Sequence, residues 1–365
     1  MSVRKRTLPS GEIRWVTDYK DQQRRRRAKQ FKTKKEATAY EIVAGGEIKA
    51  GTHVADSASV TVERAGELWL QRCRLDELEA GTLMQYRQHL DLHILPFLGG
   101  VKLSKLTRPA VESFRDKLLE TRSRSMAQKV LSSLKSLLSN AQRRGLVGQN
   151  AASGTKVKTA ARHEKKATIP TKDEIRAVLN KTSELWPATL PWRPLVITAL
   201  LTGLRASELR GLIWDCVDFE KKVIRVRQRA DYRNQMGSPK SKAGARDVPL
   251  PPMVVNTLRQ WRLACPQSEL GLVFPSKGGG AVRHSQIHRI WCSLLKSLDL
   301  PHYRFHDLRH AAASLFIEQG WQAKKVQAMM GHGSIQMTFD LYGHLWETAE
   351  DDAAAMAQIE KRIFG

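Results

Sequence analysis

HDLRHAAASLFIEQGWQAKKVQAMMGHGSIQMTFDLYGHL, residues 306–345, is the stretch around which the rest of the chain is organised. It holds His306-x-x-Arg309, then the pair Gly331-His332, then Tyr342. Arg205 stands far upstream, in TGLRASELRGL. Two arginines, two histidines and a tyrosine suit chemistry on a phosphodiester. Guanidinium forks match its oxygens and stay charged at any working pH. Imidazoles share or move protons, and a phenol is a nucleophile once activated. Such a set needs no metal.

The chain has 365 residues, of which 41% are hydrophobic, so it can bury real cores and suggests two or three domains. No apolar run reaches the roughly 18 residues of a membrane span, and residues 195–201 read as a buried helix. The N-terminus MSVRKRTLPSG is basic with no apolar segment behind it, unlike a secretory signal. The formal net charge of +25 draws polyanions, nucleic acid foremost. Cys73, Cys216, Cys265 and Cys292 show no CxxC spacing, which argues against a zinc site or a disulfide framework and fits a reducing cytoplasm.

Residues 1–58 read as a small unit. Ile13–Thr17 and Ala28–Phe31 have strand character, with a polar turn region from Lys20 to Arg27. Thr33 is a candidate N-cap for a helix from Lys34, with Ala37, Ala39, Tyr40 and Val43 as its apolar positions. Arg24, Arg25, Arg26 and Arg27, beside Trp15 and Tyr19, predict a sheet laid on a DNA groove, against the plainer reading of a solvated basic arm. Residues 59–154 are helical throughout. One helix is expected to end at Pro96, another is capped by Thr107, and the widest apolar stripe runs from Met126 to Ala141. Residues 155–172, with Lys156, Lys158, Arg162, Lys165 and Lys166, read as a basic interdomain linker that follows a DNA backbone. Residues 173–365 predict a mainly helical domain with a short antiparallel sheet, including a helix at Glu208–Trp214 and strands at Val223–Arg227 and Asp247–Leu250. No GxxxxGK[ST], GxGxxG or βαβ repetition appears, which weighs against a nucleotide-driven enzyme.

TGLRASELRGLIW, SKAGARDVPL, HDLRH, MGHGS and the late Tyr342, in that order, resemble the tyrosine recombinases, or phage-type integrases. The catalytic resemblance covers roughly residues 170–345; the helical block before it looks like that family's core-binding domain, and residues 1–58 like an arm-binding domain. The fold implied is multidomain and mainly α: a small β-containing N-terminal domain (1–58), a four-helix core-binding bundle (59–154), the linker (155–172) and a mixed α+β catalytic domain (173–365).

The resemblance implies a role for each residue. Arg205 and Arg309 clamp the phosphate, with Glu208 bracing Arg205. Lys242, on a hairpin, protonates the leaving 5′ oxygen; Lys240 is its rival. His306 hydrogen-bonds the phosphate and accepts the tyrosine proton. His332 donates to a non-bridging oxygen. Tyr342, activated by the cations around it, forms a 3′-phosphotyrosine; Tyr303 and Tyr232 lack its spacing. His310 reads as structural, and the repeat His302, His306, His310 as no metal site. A helix over Thr348–Phe364 packs either on a neighbouring protomer or in cis.

The implied activity is site-specific integration and excision of a mobile element, without a cofactor, in the cytoplasm of a bacterial host at its nucleoid. The implied partners are double-stranded DNA at attachment sites and a homotetramer on that DNA, with a directionality factor and a DNA-bending host protein as open additions. Rival readings are a chromosome-dimer or plasmid resolvase, a type IB topoisomerase, and a DNA-binding protein that has lost catalysis.

Overall fold

The computed structural model describes residues 1–21, 24–51, 53–158, 169–184, 192–346 and 360–362. The chain divides into two compact units, residues 1–162 and 163–365.

The first unit begins with an antiparallel sheet of β1 (Ser2–Thr7), β2 (Ile13–Lys20) and β3 (Arg26–Phe31), followed by α1 (Lys34–Lys49). Strand β1 was not anticipated, because a run of basic residues lacks the apolar alternation that marks a strand. Its pairing with β2, from Ser2↔Asp18 to Thr7↔Ile13, supplies what the side chains do not. Thr33 caps α1 in a full capping box with Glu36. The helix buries Ala37 and Ala44 against β2, while Ala39 and Val43 face solvent, so the apolar stripe lies to one side of the expected one. Strand alternation puts Trp15, Thr17, Tyr19 and Arg27 on the α1 side. The outer face carries Arg4, Arg6, Arg14, Lys20 and Arg26.

The second half of this unit is a helical bundle: α2 (Val62–Leu75), α3 (Ala80–His89), α4 (Leu95–Leu98), α5 (Arg108–Thr121) and α6 (Arg124–Arg143). Its core is one apolar cluster in which α6 supplies Ala127, Val130, Leu131, Leu134, Leu137, Leu138 and Ala141. The helix expected to end at Pro96 continues past it. A π turn at Leu90–Ile94 joins α3 to α4. Leu95 donates to the carbonyl of Leu90, and that wider turn accommodates a proline that has no N–H to give. Residues 155–158 are not a loose linker: Thr155 and Val157 are buried on the bundle while Lys156 and Lys158 are exposed. Arg162, Lys165 and Lys166 lie outside the described residues, as does the helix expected at 348–364 apart from the helical residues 360–362.

The second unit packs α7 (Lys172–Glu184), α8 (Trp192–Thr202), α9 (Ala206–Arg210), α10 (Pro252–Ala264), α11 (His284–Ser297) and α12 (Asp307–Glu318) around one core. Helix α8 is apolar on almost every side and forms its centre. The expected helix over Glu208–Trp214 stops at Gly211, whose Cα sits against the backbone of Arg229 and Ala230 so closely that a Cβ would meet it at 2.5 Å. Strands β4 (Val217–Asp218), β5 (Val223–Val226) and β8 (Arg246–Pro249) form one antiparallel sheet, and β6 (Arg229–Ala230) and β7 (Met236–Gly237) form another. The chain between β7 and β8 carries Lys240 and Lys242. Helices α13 (Ala323–Met330) and α14 (Ile335–Tyr342) close the described unit.

Candidate active site

Helix α12 starts where Asp307 accepts the backbone N–H of Arg304 at 2.7 Å and that residue's guanidinium at 2.8 Å. Ala311, Ala312 and Ala313 are fully buried and small, so α12 can approach α8 closely. Arg309 and His310 thereby go inward, while His306, at the N-cap position, stays accessible. The Arg309 side chain donates to the carbonyls of Gly203, at 2.5 Å, and Met330. Gly203 has φ +65°, and a Cβ there would meet Met330 Sδ at 2.9 Å, so a side chain there would be both strained and crowded. Burial, with Arg205 and Arg246 nearby, pushes the Arg309 pKa down to about 9, which still leaves it charged at neutral pH.

Arg205 caps the short helix α9 by an unusual route. Its backbone N–H donates to Glu208 Oε2 at 2.9 Å and its guanidinium to Oε1 at 2.7 Å. The other end of the guanidinium donates to the carbonyl of Gly331 at 2.8 Å. Glu208 is 3% exposed and shared. Arg246, from β8, reaches both its oxygens at 3.2 and 3.0 Å, and also the carbonyls of Met329 (2.7 Å) and Gly244 (3.0 Å). Burial alone would raise the Glu208 pKa; Arg246 and Arg205 outweigh it and hold the carboxyl below its usual range. Gly331, at φ +63°, ends α13, and a Cβ there would meet Arg246 at 2.8 Å and the carbonyl oxygen of Ala243 at 2.9 Å. Ala243 is the neighbour of Lys242, so this close approach seats the β7–β8 loop against the turn that carries His332.

After Gly331 the chain turns through His332 and Gly333 to Ser334, which caps α14. His332 Nδ1 lies 2.9 Å from Thr338 Oγ1, and its ring stacks near Tyr342 with centroids 6.4 Å apart and planes at 11°. Tyr342 is 1% exposed. Its hydroxyl lies 2.7 Å from His310 Nδ1. Burial raises the pKa of this phenol to about 12, and Arg309 offsets part of that. Partial burial of the His306 ring, with His310 and Arg309 beside it, holds its pKa below the ordinary range and leaves it a neutral acceptor.

The structure thus brings Arg205, Arg309, His306, His332 and Tyr342 to one place. Lys242 is exposed on the loop beside Gly331. Lys240 is also exposed. Arg24–Arg27, Lys156 and Lys158 belong to the other unit. Two residues of the cluster were missed. Arg246 sits in SKAGARDVPL, where strand alternation marks a face but not a partner. His310 was read as structural, and it touches the tyrosine. The repeat His302, His306, His310 is not one helical face, because α12 begins only at Asp307, and no metal-binding group of three or more such ligands occurs among the described residues.

Burial, with Arg309 and Arg205 nearby, depresses the His332 pKa to about 3. The neutral ring therefore contributes stability that is complete above the unfolded value of about 6.5. That contribution is lost as pH falls from there toward 3, since the unfolded chain takes a proton the folded one refuses. Melting temperature followed from pH 7.5 to 5 should fall less steeply for His332→Gln than for the parent chain; equal slopes would contradict this.

An arrangement of two guanidinium groups, one exposed and one buried imidazole and a phenol fits an anionic tetrahedral group better than a carbonyl or a metal. Residues 169–348 match the family described as phage integrase family, and residues 61–119 the family described as phage integrase, N-terminal SAM-like domain. The chain belongs to the phage integrase family and is an enzyme of the tyrosine-recombinase class. It is 26% identical over 340 residues to a tyrosine recombinase XerC-like protein of Caldanaerobacter subterraneus subsp. tengcongensis, covering 86% of each chain. Its fold resembles the Tn1549 transposon integrase in complex with a circular intermediate DNA, with TM-score 0.69, 19% identity, and 82% of this chain and 100% of that chain covered. It also resembles a lambda integrase tetramer bound to a Holliday junction, with TM-score 0.60, 17% identity, and 90% and 95% covered.

Proposed function

We propose that this recombinase binds an attachment-type DNA site and cuts one strand with Tyr342, to integrate and excise a mobile element. The observation that carries this reading is the convergence of Arg205, Arg309, His306 and His332 around one buried tyrosine, from segments far apart in the chain. Tyr342 Oη attacks phosphorus, its proton passing to neutral His306, while Arg205 and Arg309 hold the non-bridging oxygens and His332 donates to one of them. The P–O5′ bond breaks, and the leaving oxygen takes a proton from Lys242. A 5′ hydroxyl from the partner duplex then attacks the 3′-phosphotyrosine and restores the phenol, so the phosphodiester energy is kept and no cofactor is consumed. Four protomers on two duplexes give the exchange its symmetry, and the DNA-bound tetramer of lambda integrase supports that assembly. A directionality factor and a DNA-bending host protein are the accessory partners to assay. The site of action is the bacterial cytoplasm, at the nucleoid; no helix among the described residues is long and apolar enough to cross a membrane.

The test is a site carrying a nick, so that the fragment beyond the cut diffuses away and trapped enzyme accumulates. A covalent adduct at the 3′ end supports the reading; its absence on the element's own junctions overturns it. Relaxation of supercoiled plasmid lacking the site would instead favour a topoisomerase. Removing residues 1–58 should leave cutting of the core site intact and impair integration.

The outer face of the N-terminal sheet, with Arg4, Arg6, Arg14, Lys20 and Arg26, is the surface offered to phosphates, joined by Arg24 and Arg25 at the turn. Arg27 points to the other side, where it binds Asp21 at 2.9 Å and Ser57 at 3.2 Å. Replacing Arg6 and Arg26 together by alanine should lower the slope of log K against log salt by roughly two. Arg27→Ala should leave that slope unchanged.

A further inference from the structure

His310 is a side chain that the proposed chemistry does not use, yet it touches the reacting group. It is 7% exposed and lies one turn along α12 from His306, with ring centroids 5.3 Å apart at 85°. Its Nδ1 lies 2.7 Å from Tyr342 Oη, and the two rings are 5.7 Å apart. Among the described residues this is the hydrogen bond recorded for the Tyr342 hydroxyl. The tyrosine ring is otherwise held by apolar packing against Ala313, Val326 and Met330 and by the parallel ring of His332. Such packing gives the hydroxyl at the ring's end no polar anchor and sets no direction for its O–H bond. On the reading that Tyr342 is the nucleophile, we propose that His310 is the positioning residue of its hydroxyl. It fixes the oxygen between the imidazoles and Arg309 before a phosphodiester arrives.

His310 acts here by orientation and not as a base. Burial, with Arg304 and Arg309 nearby against Asp307, holds its pKa below the ordinary range, while that of the phenol is raised. Asparagine, which can hold the hydroxyl but cannot take its proton, separates orientation from base chemistry in the experiment below. Either neutral tautomer can keep the bond. The alternative role is a restraint that must break before attack, and it predicts the opposite sign in the experiment below.

Single-turnover cutting of the nicked site is measured for the parent chain, Tyr342→Phe, His310→Leu, His310→Asn and His310→Gln. Site affinity and melting temperature are measured alongside. Leucine keeps the bulk without a polar atom and should slow cutting about 100-fold, the scale expected for a reacting group misplaced by about 1 Å, with site affinity unchanged. Asparagine carries an amide atom at about the reach of Nδ1 and should recover most of the loss; glutamine reaches too far and should not. If the leucine variant unfolds, the asparagine and glutamine pair carries the comparison, since the chemistry is shared and only the reach differs. Cutting at the parent rate by the leucine variant, faster cutting by it, or equal cutting by asparagine and glutamine overturns the positioning role while the adduct of the parent chain stands. Absence of an adduct with the parent chain overturns both this and the recombinase reading of Tyr342.

Discussion

Tyr342→Phe should abolish the covalent protein–DNA adduct and lower strand cutting by at least about 10⁴-fold, the scale on which removal of a nucleophile acts. The ring would still fill its place among Ala313, Val326 and Met330. What is lost is one hydroxyl and its bond to His310, leaving a buried imidazole nitrogen unpaired at a cost of about 1–3 kcal/mol. The variant should therefore fold, melt only some degrees lower and bind its site as the parent does. Tyr303→Phe and Tyr232→Phe are the controls. The Tyr303 hydroxyl donates to Glu174 at 3.0 Å in the core, and Tyr232 stands on the surface. Both variants should still form the adduct. An adduct that survives in Tyr342→Phe, or vanishes in Tyr303→Phe at unchanged stability, would move the nucleophile elsewhere.

Arg246→Ala should have the second largest effect, and on stability as well as activity. Its guanidinium joins three separate elements: Glu208 on α9, the carbonyl of Met329 at the end of α13, and the carbonyl of Gly244 in the loop that carries Lys242. Removing it leaves Glu208 buried with Arg205 as its remaining cationic partner. Breaking a buried ion pair from one side costs about 3–5 kcal/mol, or roughly 6–20 °C of melting temperature for a unit of this size. Cutting should fall further than occupancy of the folded state explains, because Arg205, the His332 turn and the Lys242 loop all lose a common brace. The two effects separate if cutting is measured well below the melting temperature. Arg246→Lys keeps the charge but cannot span these partners, and it should rescue little. The pair Arg246→Met with Glu208→Gln should recover part of the stability and none of the cutting. If Arg246→Ala cuts DNA normally, the brace is ornamental.

Much of the layout was legible because it depends on local patterns. The apolar stripe of Met126–Ala141 became α6, and Thr33 became a cap, since a helical period and a capping box are set by neighbours in sequence. Strand β1 was hidden, since its pairing with β2 and not its composition makes it a strand. The end of α9 at Gly211 was hidden too, because another segment's backbone blocks continuation there.

The sequence by itself determined which residue types were at hand, two arginines, two histidines, a lysine and a late tyrosine, and the family to which their order belongs. Only the tertiary structure decided how they are held. Arg205 and Arg309 are aimed by carbonyls of Gly331, Gly203 and Met330, which become available only once α12, α13 and the end of α8 pack together. His310 meets Tyr342 for the same reason, across a fold that no local spacing encodes. The physical cause is that a buried charge or hydroxyl must find a partner when water is excluded. Packing chooses that partner, and it chose a histidine whose position in HDLRH looked ordinary.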